Sequence, residues 1–151
     1  MPAARAEIKL ESAPPAALAW RPMLKTGLLN PHVLDLLARV RHTNALVIAD
    51  RGFPFWPQIA TVDLSLIDGV PTVLQVLAAL RQNWIVEQAF MAEEFLKANT
   101  AATRRAFAAG LAGAKLTHEP HVDFKQRVPG AIGLIRTGDT VPYANMILIS
   151  G

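Results

Sequence analysis

The segment from Arg136 to Asn145 carries more hydrogen-bonding side chains than a plain turn needs. It supplies a guanidinium, a carboxylate, a hydroxyl, a phenol and an amide within ten positions. Apolar runs flank it, Ala131 to Ile135 and Met146 to Ile149, and both are typical of short buried strands. From this segment alone, a binding site and a polar Gly/Pro turn both remain open interpretations.

His42 is a second candidate, because an imidazole that titrates near neutral pH can act as an acid and as a base. It lies in the turn Arg41 to Asn44, which precedes the apolar run Ala45 to Ala49, and Asp50 follows that run. A residue that enters a strand and one that leaves it lie at opposite edges of a sheet, so His42 and Asp50 need not meet within one subunit. A longer turn, or a neighbouring subunit that supplies half of the site, would bring them together; otherwise His42 is an ordinary solvated histidine.

The loop after Asp50 is unusually aromatic. It contains Phe53, Phe55 and Trp56 and follows the carboxyl end of a predicted strand, the edge at which open α/β sheets bind ligands. These rings either pack at a subunit contact or form a wall for the C–H face of a ligand. Most other carboxylates are expected at solvated faces or helix ends, namely Asp63, Asp68, Glu87, Glu93 and Glu94.

His118 and His121, with Glu119 between them, raise the question of a zinc site. The HExxH motif needs two histidines one helical turn apart, and Pro120 would disturb such a helix. We therefore expect no metal, although a metal-dependent hydrolase using His118 and His121 stays as a third hypothesis. The chain has no GxGxxG, P-loop or GxSxG motif, which removes the commonest signatures of nucleotide binding and acyl transfer.

Helices and strands alternate along the chain and must position these residues. Asn30-Pro31 begins an amphipathic helix that ends near Arg41, and Gly69-Val70-Pro71 begins another. Further segments are predicted as strands at Ala45–Ala49, Thr61–Leu66, Gln88–Ala92 and Lys115–His118, and as a helix at Thr100–Leu111. This alternation predicts a single three-layer αβα domain with a largely parallel sheet.

Composition fits one apolar domain, since 52% of the 151 residues are hydrophobic and only 18% are charged. So little polar surface predicts a homo-oligomer. The net charge is +3, but the basic residues are scattered singly apart from Arg104-Arg105, so no nucleic-acid partner is expected. No apolar run approaches the roughly 20 residues of a membrane helix, and the absence of cysteine fits a cytoplasmic location.

The first 22 residues are rich in Ala and Pro and lack the continuous apolar core of a secretory signal. We expect them to form a flexible extension. A far more patterned stretch begins at Met23, so residues 23–151 are predicted to form the domain.

Several short motifs together resemble the family of D-ribose pyranases and L-fucose mutarotases. They are, in chain order, Arg41-His42-Thr43-Asn44, Ala49-Asp50, Asp63, Gly69-Val70-Pro71, His121, Ile135-Arg136-Thr137-Gly138 and Pro142-Tyr143-Ala144-Asn145. The resemblance runs from about Met23 to Gly151 and rests on the order and spacing of the motifs. It implies interconversion of the ring forms of free monosaccharides without a cofactor. It also implies ring-shaped homo-oligomers, pentameric or decameric, whose sites near subunit contacts would reunite His42 with Asp50.

The resemblance also implies a role for individual residues. His42 matches the proton donor of the family. Sugar-contacting residues of the family are matched by Asp50, His121, Tyr143, Ala144 and Asn145, and we add Asp63 and Arg136 as candidate supporting residues. His121 and the short spacing from Asp50 to Asp63 are similar to the D-ribose pyranase branch. Departures are Asn44, where an acidic residue is frequent, and the bulky residues Arg51, Phe53, Phe55 and Trp56.

The chemistry suits these residue types. Opening an aldose ring requires a proton at the ring oxygen while the anomeric hydroxyl loses one, and an imidazole can perform both transfers. General acid–base catalysis of this kind contributes roughly 10²- to 10⁴-fold. A sugar-binding accessory or sensor protein, which keeps the pocket without the rate, is the alternative.

Overall fold

The computed structural model describes residues 27–151, and the expected extension over residues 1–22 lies outside that range, as do residues 23–26. The strands are β1 (Ala45–Ala49), β2 (Ala60–Asp63), β3 (Val86–Ala92), β4 (Lys115–Glu119), β5 (Gly133–Arg136) and β6 (Met146–Ser150). The helices are α1 (Pro31–Arg39), α2 (Val73–Arg81), α3 (Glu93–Ala98), α4 (Ala101–Gly110) and α5 (His121–Arg127), and a 3₁₀ turn follows at Val128–Gly130.

The strands form one six-stranded sheet in the order β2-β5-β1-β6-β3-β4. Strands β1 and β2 pair in parallel with β5, and β3 pairs in parallel with β4. Strand β6 is antiparallel to both of its neighbours, β1 and β3. The prediction of a largely parallel sheet therefore holds for five strands and is wrong for β6. The segment 137–145 is too short for the crossover that a parallel return needs, so the chain turns back at the edge where β5 ends.

Helices cover both faces of the sheet. On one face, Leu46 and Ile48 of β1 belong to a core cluster that includes apolar side chains of α1, α2, α3 and α4. On the other face, Val47 and Ala49 pack in a second cluster with Phe124 of α5. Alternate residues of the same strand thus serve two cores, as the two-residue period of a strand requires.

Local signals set most of the element boundaries. The side chain of Asn30 accepts hydrogen bonds from the N–H groups of the first turn of α1, and Thr100 caps α4 in the same way. Helix α2 begins at Val73, after a Thr72–Gln75 capping box, rather than at the predicted Gly69-Val70-Pro71. Strand β2 ends at Asp63 because the Asp63 carboxylate accepts both the N–H and the hydroxyl of Ser65, which turns the chain.

Candidate functional site

Asp50 and Asn145 meet where β1 ends and its antiparallel neighbour β6 begins. Asn145 Oδ1 accepts a hydrogen bond from the Asp50 N–H at 2.7 Å, and Asn145 Nδ2 donates to Asp50 Oδ2 at 3.1 Å. Asn145 is only 3% exposed, so its amide is committed to Asp50 and fixes the orientation of that carboxyl group.

The surroundings of Asp50 act on its ionisation in opposing directions. Burial is the largest influence and raises the pKa of Asp50, and the negative charge of Asp139 adds to that effect. Hydrogen bonds from the Gly52 N–H and from Asn145 stabilise the carboxylate and lower the pKa. The pKa of Asp50 is raised overall, so its neighbours control how readily this group carries a charge.

His121, the first residue of α5, lies within a ring of aromatic side chains. Its imidazole centroid is 6.3 Å from Phe53, 5.9 Å from Phe124 and 5.2 Å from Tyr143, which it meets edge to face. Within the described residues, Nε2 of His121 is buried and makes no hydrogen bond. An unpaired buried polar atom is costly, so this nitrogen is a candidate contact for a polar ligand.

Burial lowers the pKa of His121, and the positive charge of Lys125 lowers it further. The carboxylates of Glu94 and Asp50 act in the opposite direction, and the net pKa is lowered. The lowered pKa favours the neutral imidazole, whose unpaired nitrogen can donate or accept a hydrogen bond depending on the tautomer.

The final loop places Tyr143 beside His121. Tyr143 has a backbone φ of 56°, a left-handed conformation that is uncommon for a residue other than glycine. The amide of Asn99 donates hydrogen bonds to the carbonyls of Phe95 and, at 2.8 Å, of Pro142. The side chain of Ala144 is buried in the core, so any ligand contact from Ala144 would come from its backbone.

His42 lies away from this cluster. It is exposed in a turn at the amino end of β1, where the Thr43 N–H donates to the carbonyl of Ser150 at the far end of β6. Asn44 holds the turn short, because its side chain accepts the Arg41 N–H at 2.7 Å. A longer turn therefore does not bring His42 to Asp50, and one chain does not combine the two residues.

Arg136 connects the loop after β1 to the end of β2. Its guanidinium donates to Asp63 Oδ2 and to the Ser65 hydroxyl, each at 2.8 Å, and to the carbonyl of Arg51. These bonds join the two candidate supporting residues, Arg136 and Asp63, to each other. The two residues hold the loop that follows Asp50.

Asp139 has a structural role that its sequence context did not reveal. It is 3% exposed, and its carboxylate accepts the N–H of Val73, at the start of α2, and the N–H of Val141, each at 2.8 Å. Its carbonyl accepts the Arg51 N–H at 3.1 Å. A negative charge at a helix N-terminus is favourable, so this buried carboxylate joins α2, the final loop and the loop after β1.

The aromatic loop divides its rings between two environments. Phe53 is buried beside His121 and meets Phe124 edge to face, whereas Phe55 is 76% exposed. Trp56 is partly buried, and Arg51 pairs with Asp68 at 2.6 Å. Phe53 also lines a cavity of about 420 Å³ whose lining includes Asp63 and Arg136 but not His121 or Tyr143.

His118 and His121 do not share a site. His118 lines a groove with Phe95, Phe107 and Arg105. Over residues 27–151, no three His, Asp or Glu side chains are grouped so that they could hold a metal ion. None of the helices in the same range combines the length and apolar character of a membrane span.

Solved structures share this fold. The Bacillus subtilis protein RbsD, complexed with D-ribose, matches with a TM-score of 0.80 and 34% identity, over 85% of this chain and 98% of that one. The Streptococcus pneumoniae fucose mutarotase, in complex with L-fucose, matches with a TM-score of 0.69 over 81% and 92% of the two chains. At 20% identity, the second match shows the fold alone.

Curated relatives agree with these structures. The D-ribose pyranase of Chromobacterium violaceum is 42% identical over 129 residues, and that of Laribacter hongkongensis is 40% identical over 129 residues. Each alignment covers 85% of this chain and 98% of the relative. The model of the RbsD / FucU transport protein family matches residues 23–151. This chain belongs to that family, which confirms the family predicted from the motifs.

Proposed function

We propose that this chain interconverts the ring forms of a free monosaccharide, with D-ribose as the first candidate, by general acid–base catalysis. One observation carries the proposal. Asp50 and Asn145 form a fixed polar pair near an imidazole whose Nε2 atom is buried and unpaired among the described residues, and Tyr143 lies against that imidazole. Relatives named D-ribose pyranase support it, and their alignments with this chain cover 98% of each relative.

The proposed site contacts a sugar through groups with directed hydrogen bonds. The Asp50 carboxylate accepts from sugar hydroxyls, His121 Nε2 meets another hydroxyl, and the phenol of Tyr143 donates or accepts. Asn145 keeps Asp50 oriented, the backbone of Ala144 borders the site, and Phe53 offers an apolar surface to the C–H face of the ring. Asp63 and Arg136 hold the loop that follows Asp50, through the hydrogen bonds of Arg136 to Asp63 and to the Arg51 carbonyl.

His42 acts as the acid and base in this proposal. It delivers a proton to the ring oxygen as the bond between that oxygen and the anomeric carbon breaks, and it takes up the proton that the anomeric hydroxyl loses as the carbonyl forms. The open-chain sugar then recloses through the same or another hydroxyl by the reverse transfers. Since His42 is remote from Asp50 in its own chain, a neighbouring subunit supplies it. The proposal thus includes a ring-shaped homo-oligomer, pentameric or decameric, in the cytoplasm, and the chemistry requires no cofactor.

Saturation-transfer NMR on free sugars, D-ribose and L-fucose foremost, tests this function. The wild type is expected to accelerate exchange between ring-form signals, and His42→Ala to lose roughly 10²- to 10⁴-fold of that acceleration. His42 lies in an exposed turn, so the variant is expected to keep its fold. His32→Ala is the matched control, because His32 is an exposed histidine on α1. A fully active His42→Ala protein would refute the role of His42.

A sugar-binding accessory protein is the second candidate, and the distance of His42 from the polar cluster is the observation that favours it. That function predicts selective binding of one ring form with no faster exchange. Chemical-shift changes on titration with D-ribose, combined with unaltered exchange rates in the wild type, would establish it in place of the isomerase.

A further inference from the structure

Helix α3 contacts both of the separate segments that carry His121 and Tyr143. Glu94, in its first turn, bonds to the start of α5, and Asn99, at its C-terminal end, bonds to the final loop. We propose that α3 positions the ligand-contacting pair His121 and Tyr143 through these two side chains. This inference rests on the proposed function and adds two positioning residues to it.

Glu94 acts as a helix cap supplied by another element. Helix α5 has Pro120 at its N-cap position, where no side chain makes a cap hydrogen bond. The Glu94 carboxylate instead accepts the backbone N–H of His121 at 3.0 Å. A carboxylate at a helix N-terminus gains from the helix dipole as well as from the hydrogen bond. Glu94 therefore fixes the residue whose imidazole enters the site.

Asn99 performs the corresponding task for Tyr143. Its single amide nitrogen bridges the carbonyl of Phe95, at 2.9 Å, and the carbonyl of Pro142, at 2.8 Å. The next residue, Tyr143, holds a φ of 56°, a conformation that persists only where the surroundings determine it. The bond to Pro142 is the attachment of that turn to α3.

Helix α3 is itself firmly anchored in the fold. Helix α3 follows β3 without a connecting loop, and Phe95 is 1% exposed in the core, with its ring 4.8 Å from that of Phe107. Because one short helix holds both segments, it sets the 5.2 Å edge-to-face contact between His121 and Tyr143.

The charges that face His121 make the role of Glu94 measurable. Glu94 from α3 and Asp50 from the end of β1 raise the pKa of His121, whereas Lys125 on α5 and burial lower it. Glu94→Gln keeps an oxygen that accepts the His121 N–H but removes the charge. Its expected signature is a further fall in the pKa of His121 with little change in sugar affinity.

Three variants and one control separate position from charge. We expect Glu94→Ala and Asn99→Ala to raise the Kd and the KM for D-ribose roughly tenfold, with a smaller change in kcat, because each loses a hydrogen bond that positions a ligand contact. Glu94→Gln should keep the wild-type Kd and lower only the pKa of His121, which is measured by NMR titration of the imidazole signals. Glu93→Gln removes the same charge one residue earlier, at an exposed position, and should change neither quantity.

Several results would overturn the proposal. They are an unchanged Kd in both alanine variants, an unchanged His121 titration in Glu94→Gln, or equal shifts in Glu94→Gln and Glu93→Gln. If Glu94→Ala does not fold, the Kd of Asn99→Ala and the His121 titration of Glu94→Gln still test the role of α3. A wild type that binds D-ribose but does not accelerate exchange would refute the proposed isomerase, whereas the Kd and the His121 titration would still test α3.

Discussion

At the scale of single residues, Asn145 shows why an amide is needed beside Asp50. Asp50 presents a backbone donor and a carboxylate acceptor to the same neighbour, and a carboxamide has one oxygen and one NH₂ group to satisfy both. An aspartate at position 145 would lack the donor, and an apolar side chain would lack both atoms.

Replacement of Asn145 by Ala removes both bonds. The amide donor stabilises the ionised carboxylate, so its loss is expected to raise the pKa of Asp50 further. Because the Asp50 N–H is then left without its acceptor, the free energy of unfolding should fall by about 1–3 kcal/mol. Carboxyl NMR titration and urea denaturation measure these effects. Asn83→Ala is the control, because Asn83 is exposed and bonds only to its own helix turn.

The pH dependence has a definite sign. The pKa of Asp50 is raised in the native state, so deprotonation costs stability, and that cost grows as the pH rises from the unfolded pKa through the folded one. The Asn145→Ala protein should therefore lose stability relative to the wild type more strongly at neutral pH than in acid. An Asp50 pKa that falls in this variant would contradict the argument.

Residue types drew attention to Asp50 and to the polar segment that contains Tyr143 and Asn145, whereas the resemblance to the family proposed sugar contacts for these residues and for His121. Their mutual geometry was beyond the sequence. The Asp50–Asn145 pair depends on the register between β1 and β6, which joins positions 95 apart. Glu94 was expected at a solvated face or helix end, and the sequence offered no local signal that its carboxylate reaches α5, 27 positions away.

At the scale of elements, the loop between β5 and β6 packs directly against the turn before α2, in which Ile67 and Val70 form an antiparallel bridge. The Gly69 N–H donates to the Gly138 carbonyl at 2.6 Å, and the Gly138 N–H donates to the Pro71 carbonyl at 2.9 Å. A Cβ at position 138 would lie 2.3 Å from the Ile67 carbonyl oxygen and 2.5 Å from that of Val70. Glycine is required here by close backbone approach.

Gly138→Ala is accordingly expected to be strongly destabilising. The obstructing atoms are backbone oxygens, which cannot rotate away, so the free energy of unfolding should fall by about 3 kcal/mol or more. Gly130→Ala is the matched control, since a Cβ there meets no atom within 4 Å. Thermal and urea denaturation compare the two variants. Equal stability of the two proteins would show that the loop yields easily.

The helices and strands that were predicted correctly are those whose sequence signals lie within or next to the element. Strand β1 has the predicted bounds Ala45–Ala49, and α1 and α4 begin beside their own cap residues. Helices α3 and α5 were missed because they have only six and seven residues and no side-chain cap at their N-cap positions. The reversal of β6 depends on the return of segment 137–145 over the sheet edge, which strand periodicity does not encode.

At the scale of the whole molecule, two observations favour assembly. Large apolar side chains are exposed on the single chain, among them Leu29, Phe55, Leu66, Ile67 and Ile85. His42 is also separated from Asp50 by the length of β1. A repeated head-to-tail contact between copies would cover apolar surface and could bring the His42 turn of one copy to the polar cluster of the next.

Subunit mixing tests this arrangement directly. His42→Ala and His121→Ala damage opposite halves of the proposed shared site, and each protein alone should be inactive. In a random one-to-one hybrid, about a quarter of the contacts would unite an intact His42 with an intact His121, so about a quarter of the wild-type exchange rate should return. Co-expression with two tags and sequential purification would yield the hybrid, and native mass spectrometry would count its subunits. If each subunit held a complete site, the hybrid would stay as inactive as its parents, because every copy would carry one defect.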